Sequence, residues 1–298
     1  MKIYDCFMYL DEDIVLDLRL NSLNNYVDKF VIVESKYTHS GNKRELKFNY
    51  KNFEKFRNKI IYLVLENEPP DIEIISDQDS DHIKNSKLIL NGMRRDFYQR
   101  NFIKNGLSDT KPDDFILVSD LDEIPKLDNI ELNSINKKFV FFKQKMFYYK
   151  FNLCSESISW TGTRGCRMKY LKSPQWLRNI KDRSYPLWRL DVFFSKNKYS
   201  NIHFIEDGGW HFSYIKSPED IEKKLKSYAH HREYELNSLG LEKIKSKMNN
   251  NESIYNLGTD MKKSKFDSGQ KLTVLELKKL PNYIQNNFEK YKNWLELK

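Results

Sequence analysis

The first 118 residues alternate four short apolar runs with segments of helical period, and that alternation constrains the fold more than any other feature. Ile3–Leu10, KFVIVE at 29–34, KIIYLVL at 59–65 and DFILV at 114–118 are short and rich in β-branched and aromatic side chains, so each reads as a strand. Between them, 11–25 carries Ile14, Leu18 and Leu23 at helical spacing, with Asp11 or Asp13 placed to cap its start. The stretch 80–106 carries Ile83, Leu88, Met93, Phe97 and Phe102, and Gly106 is placed to end it. Apolar strands joined by helices predict an α/β fold with a mostly parallel central sheet flanked by helices. Such sheets bind ligands beyond the carboxyl ends of their strands.

Beyond residue 135 the pattern changes. KFVFFKQKMFYYKF at 138–151 reads as a long aromatic strand, and 155–215 as short strands separated by turns. Helices return at 219–236, 239–248 and 273–298, with a polar loop over 249–269. No repeat and no linker divides the chain, so one continuous domain over 1–235 is expected, with a helical extension over 236–298 packed on it. The three cysteines, Cys6, Cys154 and Cys166, lack metal-ligand spacing and suit a reducing compartment. The apolar run at the amino terminus is broken by Asp5 and reads as a strand rather than a signal peptide, and no stretch reaches the ~20 apolar residues of a membrane span. These features predict a cytoplasmic protein. Tyr291 and Trp294 in the basic tail offer a peripheral membrane contact, but packing of the tail on the domain is the preferred expectation.

The strongest local signal is DDFILVSDLDEIP at 113–125. An apolar strand runs straight into Asp120, Asp122 and Glu123. Paired carboxylates at a strand end suit Mg²⁺ or Mn²⁺, which would neutralise diphosphate oxygens. The structural alternative is a polar turn capping a helix. GGWHFSYIK at 208–216 is second: Trp210 can stack on a sugar, His211 can join Asp120 and Asp122 on a metal, and Lys216 can hold phosphate. Its alternative is a turn and strand with a core histidine. A third region, 160–189, interleaves Arg164, Arg167, Arg178, Arg183 and Arg189 with Trp160, Trp176 and Trp188. Arginines clamp phosphate and aromatics stack on sugars or bases, while a solvated basic face would explain them equally. His230, His231 and Glu233 read as solvated surface.

The net charge of +9 suits an anionic partner without choosing one. Absence of the GxxxxGK[ST], GxGxxG and GxSxG patterns argues against P-loop NTPases, dinucleotide enzymes and α/β-hydrolases.

Taken in order, IYDCFMYLDEDIVLDLRLNSL, VDKFVIVESKYTHSGN, DDFILVSDLDEIPK and GGWHFSY resemble glycosyltransferase family 17 over roughly residues 3 to 235. The resemblance implies a GT-A-like nucleotide-diphospho-sugar transferase fold, with 1–235 as the catalytic domain. It also implies a UDP-sugar donor, transfer of N-acetylglucosamine or a related hexose, and inversion. Carried over by position, Asp120 and Asp122 resemble the metal and diphosphate motif, completed by His211. Glu34 and the loop from Tyr37 to Gly41 lie where such folds cradle the nucleoside. Arg95 and Arg100 resemble donor-side basic residues, and Lys216 a phosphate contact. Animal members carry a membrane anchor that this sequence lacks, so a surface polysaccharide, a lipid-linked glycan or a glycoprotein is the expected acceptor.

Inversion requires a base. Asp207 and Glu206, before the Gly-Gly turn, are the candidates, with Glu123 in reserve. Two other function classes compete. A nucleotidyltransferase would use the same carboxylates, but the Gly-Ser pair usual ahead of its D-x-D is absent. A non-catalytic nucleic-acid- or carbohydrate-binding protein would explain the charge or the aromatics, but not acidic residues at a strand end. No nucleic-acid partner is expected.

Overall fold

The computed structural model describes residues 1–186, 188–256, 266 and 268–297. Among the described residues ten strands form one sheet: β1 (Ile3–Tyr9), β2 (Lys29–Ser35), β3 (Ile60–Leu65), β4 (Phe115–Val118), β5 (Glu123–Pro125), β6 (Phe139–Tyr148), β7 (Leu153–Arg167), β8 (Ile202–Ile205), β9 (Gly209–Ser213) and β10 (Thr273–Val274). The main path runs β3-β2-β1-β4-β7-β6-β9-β5, with β8 on β6 and β10 on β7. The first half is parallel, as the apolar runs require. β7 then lies antiparallel to both β4 and β6, so the second half is mixed. The region 155–215 holds the expected short strands at β8 and β9, but it opens inside the 15-residue β7, where short strands were also expected. Irregular register along β6 and β7 bends this pair, which hides its period in the sequence.

The helices are α1 (Asp13–Leu23), α2 (Asp81–Phe102), α3 (Pro174–Asn179), α4 (Leu190–Phe194), α5 (Pro218–Ser227), α6 (His231–Leu236), α7 (Leu241–Asn249), α8 (Asn282–Asn286) and α9 (Phe288–Tyr291). α1 buries Val15, Leu16, Leu20 and Leu23 against Phe7, Phe30 and Leu117 on one sheet face. On the other face Cys6, Val31, Val33 and Val118 pack on Ile103, Leu177 and Ile180. Alternate residues of β1 thus enter different cores, as strand geometry demands. A third cluster seats α5, α6 and α7 against Met146, Tyr148 and Tyr214.

Two helical expectations are corrected. The segment 219–236 is two helices, because Tyr228 takes an extended conformation and ends α5. The tail is not one helix: it contains β10, then short turns and α8 and α9 after Pro281. Tyr291 is fully buried there, and its hydroxyl donates to Asp17. Part of the expected loop at 249–269, namely 257–265 and 267, lies outside the described residues. No described helix is long and apolar enough to cross a membrane.

Candidate active site

The chain crosses from β1 to β2 and β3 on one side and returns to β4 on the other, so the strand order reverses beside β1. A crevice opens at such a point, beyond the carboxyl ends of the strands. A cavity of about 370 Å³ lies there, lined by Tyr9, Leu10 and Glu12 at and beyond the end of β1, Ser35 and Tyr37 at and beyond the end of β2, and Asp120 and Asp122 after β4. Arg100 of α2, Trp160 of β7, His211 of β9 and Lys224 of α5 complete its polar wall.

The acidic turn is shaped by a buried residue that sequence reasoning missed. Arg19 of α1 is bound by Asp5 at 2.6 and 2.8 Å. Its other guanidinium nitrogen donates to the carbonyls of Asp120, Leu121 and Glu123 at 3.1, 3.0 and 2.8 Å. Three carbonyls of one turn converge on one cation, so the carboxylates that follow are held rather than left to a mobile loop. Glu123 accepts the backbone N–H of Asp120 at 2.9 Å, the Trp160 indole N–H at 2.7 Å and Arg178 at 2.7 and 2.9 Å. It braces the turn and does not line the cavity. Its oxygens are committed to these donors.

Asp120 faces Arg100 at 3.0 Å and Arg178 at 3.2 Å. Burial alone would raise its pKa, but the two guanidiniums hold it at about 2. Asp122 lies 3.6 Å from His211 Nε2 and 3.5 Å from Lys224 Nζ. Burial opposes its charge too, yet Lys224 and His211 hold the carboxyl well below the usual range. For His211, burial lowers the pKa, and Asp122, Glu123 and Asp120 outweigh that and raise it. The antiparallel register sets Glu123 opposite His211 and Ile124 opposite Trp210. Alternation along β9 then turns the two aromatic rings apart. His211 faces the cavity, whereas Trp210 enters the core and donates its indole N–H to the Lys279 carbonyl.

Other expected site residues are also displaced. Asp207 is paired with Lys145 at 2.7 Å and lines a separate cavity with Lys126, Trp210 and Lys279. Glu206 is exposed beside it and lines neither cavity. Lys216 is buried against Asp11 and is absent from the cavity wall. Glu34 is fully buried and accepts from Arg44, the Lys47 and Phe48 N–H groups and the Tyr62 hydroxyl. It anchors the loop that brings Tyr37 to the cavity without lining it. Arg95 binds Glu68 at 2.5 Å and the His39 carbonyl at 3.3 Å, bracing the same loop from outside the wall.

Glu12 and Lys224 are the further residues that the sequence reading did not single out. Lys224 lies 3.0 Å from Glu12, and both line the cavity. Glu12 follows the first strand, so the strand-end rule that selected Asp120 applied to it equally. Lys224 carries no such signal among the lysines of α5. The arginine–tryptophan region divides: Arg178 and Trp160 reach the site, and Trp188 is exposed. His231 is buried rather than solvated, and His230 lines the cavity.

Residues 1–296 match the family model described as Glycosyltransferase family 17. The chain belongs to that glycosyltransferase family. It is similar to the β-1,4-mannosyl-glycoprotein 4-β-N-acetylglucosaminyltransferases of Mus musculus and Homo sapiens, at 29% identity over 242 residues in each case. The match covers 72% of this chain and 40% of each relative, so it spans less than half the length of those proteins. Among solved structures, HddC from Yersinia pseudotuberculosis aligns at 10% identity over 70% of this chain and 91% of its own, with a TM-score of 0.32. A likeness at that level does not define the fold.

Proposed function

We propose that this chain transfers N-acetylglucosamine or a related hexose from a UDP-sugar to a glycan acceptor, with inversion, and that a divalent cation accompanies the donor. The observation that carries the reading is the cavity beyond β1 and β4, where Asp120 and Asp122 stand among Arg100, Lys224 and His211. Family membership supports glycosyl transfer over nucleotidyl transfer. The parallel order β3-β2-β1-β4 matches the mononucleotide-binding half of doubly wound folds and supports a GT-A-like assignment. Relatives named for transfer to mannosyl-glycoproteins support a glycan acceptor, carried on a protein, a lipid or a free oligosaccharide.

The residues present fit a Mn²⁺ or Mg²⁺ that is shared with the donor. Among the described residues no three His, Cys, Asp or Glu side chains gather closely enough to hold a metal alone. Hard divalent cations often take one or two carboxylates and fill the remaining positions with substrate phosphates and water. Asp122 and His211 Nε2, 3.6 Å apart, suit two neighbouring positions of such a site. Of the ring nitrogens, Nδ1 is buried without a hydrogen-bond partner among the described residues, while Nε2 faces Asp122. Once bound, the cation would neutralise the leaving diphosphate. Lys224 and Arg100 would add fixed positive charge on the same side, and Asp120 would hold Arg100 and Arg178 in place.

Calorimetry with UDP, with and without Mn²⁺, on the natural chain and on Asp122→Ala tests this reading. Metal-dependent binding that vanishes in the variant is the expected result. Equal UDP binding without metal would remove the cation, and no UDP binding under any condition would remove the donor.

A further inference from the structure

The segment 181–198, between α3 and β8, presents apolar side chains that the fold leaves uncovered. Trp188, Leu190, Phe193 and Phe194 are 78, 74, 69 and 90% exposed. Leu190, Phe193 and Phe194 lie on the single turn of α4 at the i, i+3 and i+4 spacing that shares one face, and Trp188 precedes the turn by two residues. Isolated exposed apolar residues need no explanation, but a cluster of two phenylalanines, a tryptophan and a leucine marks a contact surface.

The chemistry around the patch identifies its partner. The segment holds five basic residues and two acidic ones, a net charge of +3. Arg183, Arg189 and Lys198 stand 5.3, 5.4 and 5.8 Å from the ring centre of Tyr185, which is itself buried. This ring anchors a cationic collar at the base of the apolar turn. Asp191 binds Arg189 and Lys198 and offsets one of those charges. Trp and Phe above a collar of Arg and Lys is the composition of a surface that seats its aromatics at the headgroup boundary and its cations on anionic headgroups.

We infer that the 181–198 segment docks this protein on an anionic lipid surface. The basic tail that the sequence suggested for such a contact has Tyr291 buried in the core. The docking segment begins just after Arg178, and its Asp182 lies 3.4 Å from the Thr161 hydroxyl, next to Trp160 of the cavity wall. The inference does not depend on the proposed reaction, because UDP binding by the free protein is measured separately.

The test is flotation of the full chain with vesicles of phosphatidylcholine alone and of phosphatidylcholine containing one third phosphatidylglycerol, at low and high salt. The comparison is the triple variant Trp188→Ser, Phe193→Ser, Phe194→Ser, with circular dichroism and the urea midpoint confirming that its fold is intact. The charge variant Lys181→Glu, Lys196→Glu leaves the apolar turn in place. The expected result is binding to the anionic vesicles only, weakened by salt, reduced by the charge variant, and reduced roughly tenfold or more by the triple variant. Failure of the natural chain to float with anionic vesicles would overturn the inference, as would equal flotation of the triple variant. A dimer in sedimentation that the triple variant converts to monomer, with no vesicle binding, would assign the patch to a second copy instead.

Discussion

Lys224 Nζ lies 3.5 Å from the Asp122 carboxylate, and no signal in the sequence pairs these residues, which are 102 positions apart. The same ammonium lies 3.0 Å from Glu12. Burial would raise the pKa of either acid, and Lys224 is the largest influence holding each down. Replacing Lys224 with Met leaves two largely buried carboxylates without their shared cation and removes a positive charge from the proposed diphosphate side. Loss of a charge-assisted contact of this kind costs about 1.5–3 kcal/mol, so UDP affinity should fall roughly 10- to 100-fold, with Lys224→Arg keeping most of it. Calorimetry checks this, and unchanged affinity in Lys224→Met would remove Lys224 from the donor site.

Arg19 is the second residue whose loss should be felt beyond its own contacts. It is fully buried between Asp5 and three carbonyls of the acidic turn. Removing one partner of a buried ion pair costs about 3–5 kcal/mol, because the other charge stays behind. Arg19→Met should lower the urea midpoint accordingly. Arg19→Lys should restore little, since an ammonium lacks the planar fork that spans Asp5 and the turn. A midpoint for Arg19→Met close to that of the natural chain would mean that the turn holds itself.

The parallel half of the sheet was legible because its strands are short, apolar and separated by helical period. Those runs lie within about two residues of the observed β1, β2, β3 and β4. The strand-end rule then led to Asp120 and Asp122. The rest depended on long-range register. Nothing local shows that β5 pairs with β9, a pairing that turns His211 toward the cavity and Trp210 away. The base candidates Asp207 and Glu206 were chosen by proximity in sequence to the Gly-Gly turn. That turn has Asp207 at φ 50° and Gly209 at φ 129°, and it carries the acids to another surface. The role of Glu34 was hidden for a related reason: a carboxylate after a strand reads the same whether it meets a ligand or the N–H groups of its own loop.

Asp207→Asn should therefore leave UDP binding and turnover within about twofold of the natural chain. The side chain is exposed, its ion pair is with Lys145, and surface pairs contribute roughly 0–1 kcal/mol. Asn also tolerates the left-handed backbone that residue 207 adopts. Steady-state kinetics on the variant decides the matter, and a loss of turnover with intact UDP binding would return Asp207 to the reaction.

His231 sets an acid limit on the packing beside the cavity. It starts α6, its Nδ1 lies 3.0 Å from the Tyr228 carbonyl, and the break it closes brings Tyr228 and His230 into the cavity wall. Burial lowers its pKa, outweighing the Tyr228 carbonyl and Glu235, which act in the opposite direction. The folded protein therefore prefers the neutral imidazole, while the unfolded chain takes a proton near its ordinary pKa of about 6.5. Between that value and the lower folded one, the unfolded state binds more protons. Stability contributed by His231 is thus complete above about 6.5 and is lost as pH falls through the window below it. His211, whose pKa is raised in the fold, acts in the opposite sense over this range, but both proteins carry it, so the readout is the difference between them. From about pH 7.5 down to about pH 5.5 the urea midpoint of the natural chain should decline relative to that of His231→Gln, ahead of the losses expected when carboxylates protonate below about pH 5. Parallel slopes in the two proteins would show that the imidazole is equally at ease charged in the fold, and that another group controls the acid side.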